Sequence, residues 1–435
     1  MNVQTSPVDK GAVIAAASAR AGNYRWVICA LLFAATAINY IDRQMLGLLK
    51  PNFQQEFGWS ETQFADIVFW FQAAYAVGYL GFGWVIDKIG AKLGFAVAIV
   101  VWTIAHVAHA AVRTVTGFTV VRIGLGLGES GNFPAGVKAV AEWFPKSERA
   151  LATSIFNAGS GIGAIIAPLI VPLLVIYADW HWAFVVTGVF SVIWLAAWWF
   201  LYTRPRENKN VKPGEIAFIE SDPPDTEAHK NIPWTRLLTV KETWAFALGK
   251  FLIDPIWWMY LFWLPGFFAD RYHLDLKTFG PPVVAVYIMS DIGSVAGGWL
   301  SSQLIKMNFS INAARKITML VAALAVTPIA FAMYADNLWL AVAIIGLATA
   351  AHQAFSANLY TLPSDVFPRA AVASVIGIGG TVGAVGGMLM SKYTGYVLDQ
   401  LHTYTPIFVV GASAYLLALL VVHLLSPRYE LAKVD

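Results

Sequence analysis

The strongest constraint on this chain is its division into long apolar blocks. Runs of roughly 20 residues with few charges recur along the sequence, and a helix of that length crosses the hydrocarbon core of a bilayer. Hydropathy marks about 12 such spans. The first half holds 26–48, 64–86, 93–112, 117–140, 151–177 and 182–202; the second holds 244–269, 282–305, 317–334, 338–362, 372–397 and 406–425. A large soluble core would need neither blocks of this length nor so many. Charged residues are 13% of the chain, against about 25% in soluble domains. The single Cys29 lies inside the first block and excludes a disulfide framework. The expected class is an all-α membrane protein.

Segment 203–243 is rich in Pro, Lys, Arg, Asp and Glu and divides the spans into two sets of six. The expected organisation is a tail (1–23), a six-helix bundle (24–203), a linker (204–243) with a short helix around 214–220, a second bundle (244–426) and a short tail (427–435). Residues 11–19 are Ala-rich and follow Lys10. They are too weakly apolar for a cleaved signal peptide, and a full span follows almost at once, so they read as tail. Of the 29 Lys and Arg, 21 fall on the side of the tails and linker, five on the other, and three within spans: Arg43, Arg122 and Lys250. That bias predicts cytoplasmic termini.

The chain also repeats itself. Phe144-Pro145-Lys146-Ser147-Glu148-Arg149-Ala150 follows the fourth span, and Phe367-Pro368-Arg369-Ala370-Ala371 follows the tenth. Each leads into a Gly-rich span, with six spans between them. Duplication of a six-helix unit predicts two pseudo-symmetric halves around a central cavity.

Ionisable residues inside spans are the functional candidates, because hydrocarbon disfavours them unless they face a cavity or a partner. Asp42 and Arg43 are adjacent in Asn39-Tyr40-Ile41-Asp42-Arg43-Gln44, and neighbours on a helix point about 100° apart. Each therefore needs a partner from elsewhere. Arg122 and Glu129 share a face of the fourth span about 10.5 Å apart along its axis, too far to pair but placed to bracket a ligand or to reach Asp42 and Arg43. Glycines 124, 126, 128 and 131 allow close helix contact there. Two buried arginines predict an anionic substrate, since guanidinium holds carboxylate with two prongs. The acids Asp42 and Glu129 predict proton coupling, because protonation and substrate binding become linked where acid and arginine share a site.

Between the second and third spans lies Gly83-Trp84-Val85-Ile86-Asp87-Lys88-Ile89-Gly90-Ala91-Lys92. This pattern resembles the signature loop of the major facilitator superfamily, which implies a 12-helix fold of two six-helix bundles and a gating role for Gly83, Asp87 and Lys88. The matching stretch of the second half, Gly298-Trp299-Leu300-Ser301-Ser302-Gln303, lacks the acid. Asn-Tyr-Ile-Asp-Arg, Arg122 with Glu129, and Glu142-Trp143-Phe144-Pro145 together resemble the anion:cation symporter family, nearest its bacterial sugar-acid permeases. Asn157-Ala158-Gly159-Ser160-Gly161 and Ala351-His352-Gln353-Ala354-Phe355-Ser356 resemble the hexuronate branch; the Asp42-Arg43 pair is closer to the aldonate and glucarate branch. The resemblance implies that Arg43 and Arg122 grip the carboxylate and that Tyr40, Tyr75, Asn157, Ser160, Ser356 and Asn358 line the pocket. Gly380 stands where such relatives often carry a polar side chain.

Other features read as structural. Lys250 and Asp254 are spaced for an intrahelical ion pair. His352 suits packing, and Asp291 is either a second proton site or an interhelical anchor. His106 and His109 have metal-like spacing without a third ligand. Trp257, Trp258 and Trp263 read as packing or interfacial aromatics. No Gly-Lys-Ser phosphate loop exists. The expectation is a proton-coupled symporter for a hexuronate (galacturonate or glucuronate) in a bacterial inner membrane, acting as a monomer with no cofactor, metal or nucleic acid. Aldonate or glucarate is the alternative cargo, and a transporter-like sugar-acid receptor the alternative class.

Overall fold

The computed structural model describes residues 22–221, 233–275 and 277–432. Most of the predicted tail 1–23 therefore lies outside the described residues. Among the described residues the chain is helical, without strands. The first half comprises α1 (Tyr24–Leu48), α2 (Lys50–Phe57), α3 (Glu61–Ala108), α4 (Val115–Glu129), α5 (Asn132–Trp143), α6 (Lys146–Tyr177) and α7 (Trp180–Leu201). The linker carries α8 (Pro213–Ile219) and α9 (Trp234–Leu237). The second half comprises α10 (Lys241–Tyr272), α11 (Gly280–Lys306), α12 (Ile311–Val326), α13 (Leu338–Leu359), α14 (Leu362–Val366), α15 (Arg369–Leu401) and α16 (Thr405–Leu425). Ten described stretches are long and apolar enough to cross a membrane. The second and fourth predicted spans are present as the first leg of α3 and as α4 followed by α5.

Two local breaks differ from the sequence reading, and both position the site. The expected loop over 83–92 shrinks to one residue: α3 is continuous except at Gly90, where φ 84° and ψ 165° turn the chain back. Only glycine takes that conformation without strain. The fourth span, expected as one helix, is interrupted at Ser130-Gly131, so Glu129 ends α4. The glycines beside it admit the two legs of α3. A Cβ on Gly126 would lie 2.5 Å from the Phe71 carbonyl oxygen, and one on Gly128 would collide with the backbone of Trp102. Gly159 and Gly163 let α6 press against α1 at Phe33 and Ala37 in the same way.

The duplicated motifs have matching geometry. Pro145 (φ −64°, ψ 155°) and Pro368 (φ −60°, ψ 148°) each occupy the residue before a long helix, where a proline is tolerated. Phe144 and Phe367, just before them, are buried in the core.

The two halves are sealed on the side away from the linker. Glu61 of the first half, paired with Lys50 of the same half at 2.6 Å, accepts the Nε1 hydrogen of Trp263 from the second at 3.2 Å, and Lys392 of the second half pairs with Asp66 of the first. Asp399 of α15 accepts from the backbone of Glu61 and Thr62 at 2.9 and 2.8 Å, capping the positive end of α3 from the opposite half. On the linker side, Cβ atoms added at Gly81, Gly83 and Gly380 would meet nothing within 4 Å. The polar ties between the halves named above lie on the side away from the linker, which leaves the linker side as the open one.

Candidate functional site: a caged arginine between the halves

Arg43 is 4% exposed although it sits where the halves meet. Its Nε donates to Glu129 Oε2 at 2.9 Å and its Nη2 to Asn39 Oδ1 at 3.0 Å. Four rings surround the guanidinium: Tyr75 at 4.8 Å, Tyr40 at 4.9 Å, Trp258 at 5.3 Å and Phe71 at 5.8 Å. Faces of this kind attract a cation most strongly where water is excluded. Trp258 belongs to α10, so the cage is completed across the interface between the halves.

Arg122 lies behind this cage, fully buried beside Phe71 at 5.2 Å. Its Nη2 donates to the Arg43 backbone carbonyl at 3.4 Å, while Nε and Nη1 have no hydrogen-bond partner. Glu129 Oε1 is likewise unpartnered. Glu129 pairs with Arg43 of α1 rather than with Arg122 of its own helix. Two buried donors and one acceptor therefore keep unused hydrogen-bonding capacity beside the cage.

Asp42 points elsewhere. It is fully buried, accepts from Trp102 Nε1 at 2.7 Å, and lies 3.2 Å from His106 Nε2. Adjacent on one helix, Arg43 faces the opening and Asp42 faces α3 and α7 within the first half.

The remaining expected residues divide. Tyr40 and Tyr75 stand in the cage. Asn157 is exposed on α6, and the Ser160 hydroxyl donates to its carbonyl at 2.7 Å. Ser356 is buried in α13. The Asn358 amide donates to Gly297 and Ala354 carbonyls at 3.2 and 2.9 Å, tying α13 to α11 rather than joining the cage. Gly83 has no close neighbour because the linker side is open; the Lys88 ammonium lies 4.1 Å over the Trp84 ring. The Asp87 side chain lies outside what the structure describes. Asp291 rests against α6, where a Cβ on Gly161 would lie 2.5 Å from its carboxylate. Among the described residues, no cluster of His, Cys, Asp or Glu could hold a metal.

Sequence reasoning missed four contributors. Trp258 reads in the sequence as a packing or interfacial aromatic like Trp257 and Trp263, and nothing there sets it apart as the cage wall. Trp102 and His106 are i,i+4 partners on α3, a spacing that puts both on one face. Gln72 is buried with both amide atoms unpartnered, next to Gly387 of the opposite half.

Two helical halves, an inter-half opening and buried charge at its head are the architecture of an alternating-access membrane carrier. The model of the Major Facilitator Superfamily matches residues 32–391, and the chain belongs to that family. It is 31% identical over 418 residues to the "Hexuronate transporter" of Escherichia coli (strain K12), covering 94% of this chain and 96% of that one. It is 29% identical to the "Galacturonate transporter" of Dickeya chrysanthemi, covering 69% of this chain and 88% of that one. Among solved structures it resembles a D-xylose-proton symporter at TM-score 0.72 and 14% identity, covering 92% of this chain and 97% of that one. A bacterial homolog to the human lysosomal transporter Spinster gives TM-score 0.71 and 14% identity, covering 94% and 97%. These two show the fold. The chain is a multi-pass transporter, not an enzyme.

Proposed function

We propose that this transporter imports a hexuronate, galacturonate or glucuronate, together with protons. The observation that carries this is the Arg43–Glu129 ion pair inside its aromatic cage, backed by Arg122 with two open guanidinium nitrogens. Arg43 and Arg122 balance Asp42 and Glu129 when all four are charged. Protonation of one acid leaves one positive charge unmatched, and a monocarboxylate restores the balance. Protonated Glu129 also releases Arg43 Nε, which with Nη2 forms the edge that a substrate carboxylate then takes as a two-pronged partner. The half-buried faces of Tyr40, Tyr75 and Trp258 suit the apolar face of a pyranose ring. Names of the relatives at 31% and 29% identity support a sugar acid as cargo.

The Lys and Arg bias puts the linker in the cytoplasm, which makes the present conformation inward-open and the membrane a bacterial inner membrane. Alternating access then consists of breaking the Trp263–Glu61, Lys392–Asp66 and Asp399 contacts between the halves while the linker side closes, with Gly83, Asp87 and Lys88 at the closing mouth.

The test is uptake of labelled galacturonate by proteoliposomes, with and without an imposed pH gradient. Acidic outside medium is expected to drive accumulation, and glucuronate is expected to compete better than galactonate, glucarate or neutral galactose. Glu129→Gln is expected to retain galacturonate exchange at equal pH and lose uphill uptake. Preference for galactose would overturn the anion reading. Preference for galactonate or glucarate would move the cargo to those acids, and gradient-driven uptake by Glu129→Gln would remove Glu129 from coupling.

A further inference from the structure

We infer that His106 and His109 form a proton path from the far face of the first half to Asp42, separate from the opening used by substrate. The inference rests on the proton-coupled reading above. His109 stands at the end of the second leg of α3, fully buried, two residues before exposed Ala111. His106 lies one helical turn deeper, also fully buried, and touches Asp42 at 3.2 Å. The two rings are 6.2 Å apart between centroids at 44°, a gap that one water can bridge between polar atoms.

Their hydrogen bonds fix where a proton can land. His109 Nδ1 lies 2.8 Å from the Ala105 carbonyl, so it must carry the hydrogen that this acceptor receives. Its Nε2 is then a bare lone pair, buried and unpartnered. The Thr187 hydroxyl donates to the Ala183 carbonyl at 2.9 Å and therefore accepts from His106 Nε2 at 2.7 Å. His106 Nδ1 is then the second bare lone pair, also buried and unpartnered. A neutral imidazole with one nitrogen occupied and the other open is a ready proton acceptor.

The transfer balances. A proton from water at the far face binds His109 Nε2 and leaves from the same atom, through a bridging water, to His106 Nδ1. As that N–H bond forms, the Nε2–H bond of His106 breaks and its hydrogen passes to the Thr187 oxygen, whose own hydrogen turns from the Ala183 carbonyl to Asp42. Asp42 loses its charge, His106 is neutral again, and its proton moves back from Nδ1 to Nε2 when the ring resets. Among the described residues, the charged groups facing the two rings are Asp42 from α1 and Arg122 from α4, while α7 contributes Thr187 and Phe184. Neutralising Asp42 leaves Arg122 without that acid. Since Arg122 donates to the Arg43 backbone, the change reaches the cage directly.

The experiment uses the full-length protein in proteoliposomes and labelled galacturonate, with a trapped pH dye to count protons. His106→Gln and His109→Gln, singly and together, keep a hydrogen-bonding amide but cannot relay a proton; His109→Phe preserves the stacking on Phe184. Galacturonate exchange at equal pH is expected to stay near wild type in all four. Gradient-driven uptake and dye-reported proton entry are expected to fall together by about 100-fold, the scale of a lost proton-transferring side chain. Unchanged gradient-driven uptake in the double variant would overturn the path. Equal loss of exchange and driven uptake would make the histidines structural supports and overturn it as well. If wild-type vesicles exchange galacturonate but ignore the pH gradient, the coupling reading itself fails and takes the path with it.

Discussion

The two halves share a fold but handle buried charge in opposite ways. In the first half, charges meet between helices: Arg43 of α1 with Glu129 of α4 at 2.9 Å, and Asp42 of α1 with His106 of α3 at 3.2 Å. In the second half, Lys250 and Asp254 pair one turn apart within α10 at 2.7 Å, with Lys250 also donating to the Tyr360 hydroxyl at 2.6 Å. An intrahelical pair survives any rigid movement of its helix. An interhelical pair exists only in one arrangement of two helices, so it can both sense and drive a rearrangement. The first half is built to respond, and the second to hold its charge fixed.

The sharpest break of this contrast is at Arg43. Arg43→Lys keeps the charge but loses the planar fork and leaves Glu129 poorly matched in a dry site. Losing a charge-assisted hydrogen bond of this kind costs about 1.5–3 kcal/mol, so galacturonate uptake is expected to fall by about 10- to 100-fold, read as kcat/KM in proteoliposomes. Near-normal uptake would mean that Arg43 is a structural charge like Lys250, and the contrast between the halves would collapse.

Trp258 tests whether the second half contributes to the responsive site at all. Its ring is the cage wall supplied across the interface. Trp258→Ala removes a cation–π contact of about 0.5–2 kcal/mol, so a rise of about 2- to 30-fold in the half-saturating galacturonate concentration is expected. Trp257→Ala serves as control. That ring stacks on His352 at 5.1 Å and 11° instead of on Arg43, so it is expected to lower thermal stability more than affinity.

What the sequence discloses about these sites follows from how conspicuous each residue type is in an apolar span. Asp42, Arg43, Arg122 and Glu129 stand out because hydrocarbon excludes them, and the apolar blocks themselves reveal the fold. The identity of each partner is invisible, because it depends on packing between helices: α4 on α3 at Gly126 and Gly128, and α6 on α1 at Gly159 and Gly163. His106 is legible as a histidine but not as a neighbour of Asp42, which lies 64 residues away in sequence. Asn358 is legible as a polar side chain, but its backbone partners are not. A polar side chain on a cavity-facing span reads as pocket lining, yet its amide is committed to backbone carbonyls of α11 and α13. The charges over 87–92 read as a loop between spans, whereas a single positive-φ glycine, Gly90, suffices for the turn.

The smallest effect is expected from the second half's own ion pair, and it decides whether that pair is merely held. Lys250→Met alone leaves Asp254 unmatched between α10 and α15, where Gly383 packs against its carboxylate. A single lost partner is expected to destabilise by about 3–5 kcal/mol. Lys250→Met with Asp254→Leu removes both charges, and such double replacements are often neutral or stabilising by about 1–4 kcal/mol. Tyr360, 43% exposed, then loses a donor that water replaces. The double variant is therefore expected to melt in detergent at or above the wild-type temperature, while the single variant melts well below it. Gradient-driven galacturonate uptake by the double variant is expected within about threefold of wild type, a change of less than 1 kcal/mol in transport energetics. Abolished uptake in a double variant that melts normally would show that Lys250 or Asp254 works during transport, and the second half would join the first as a responsive element.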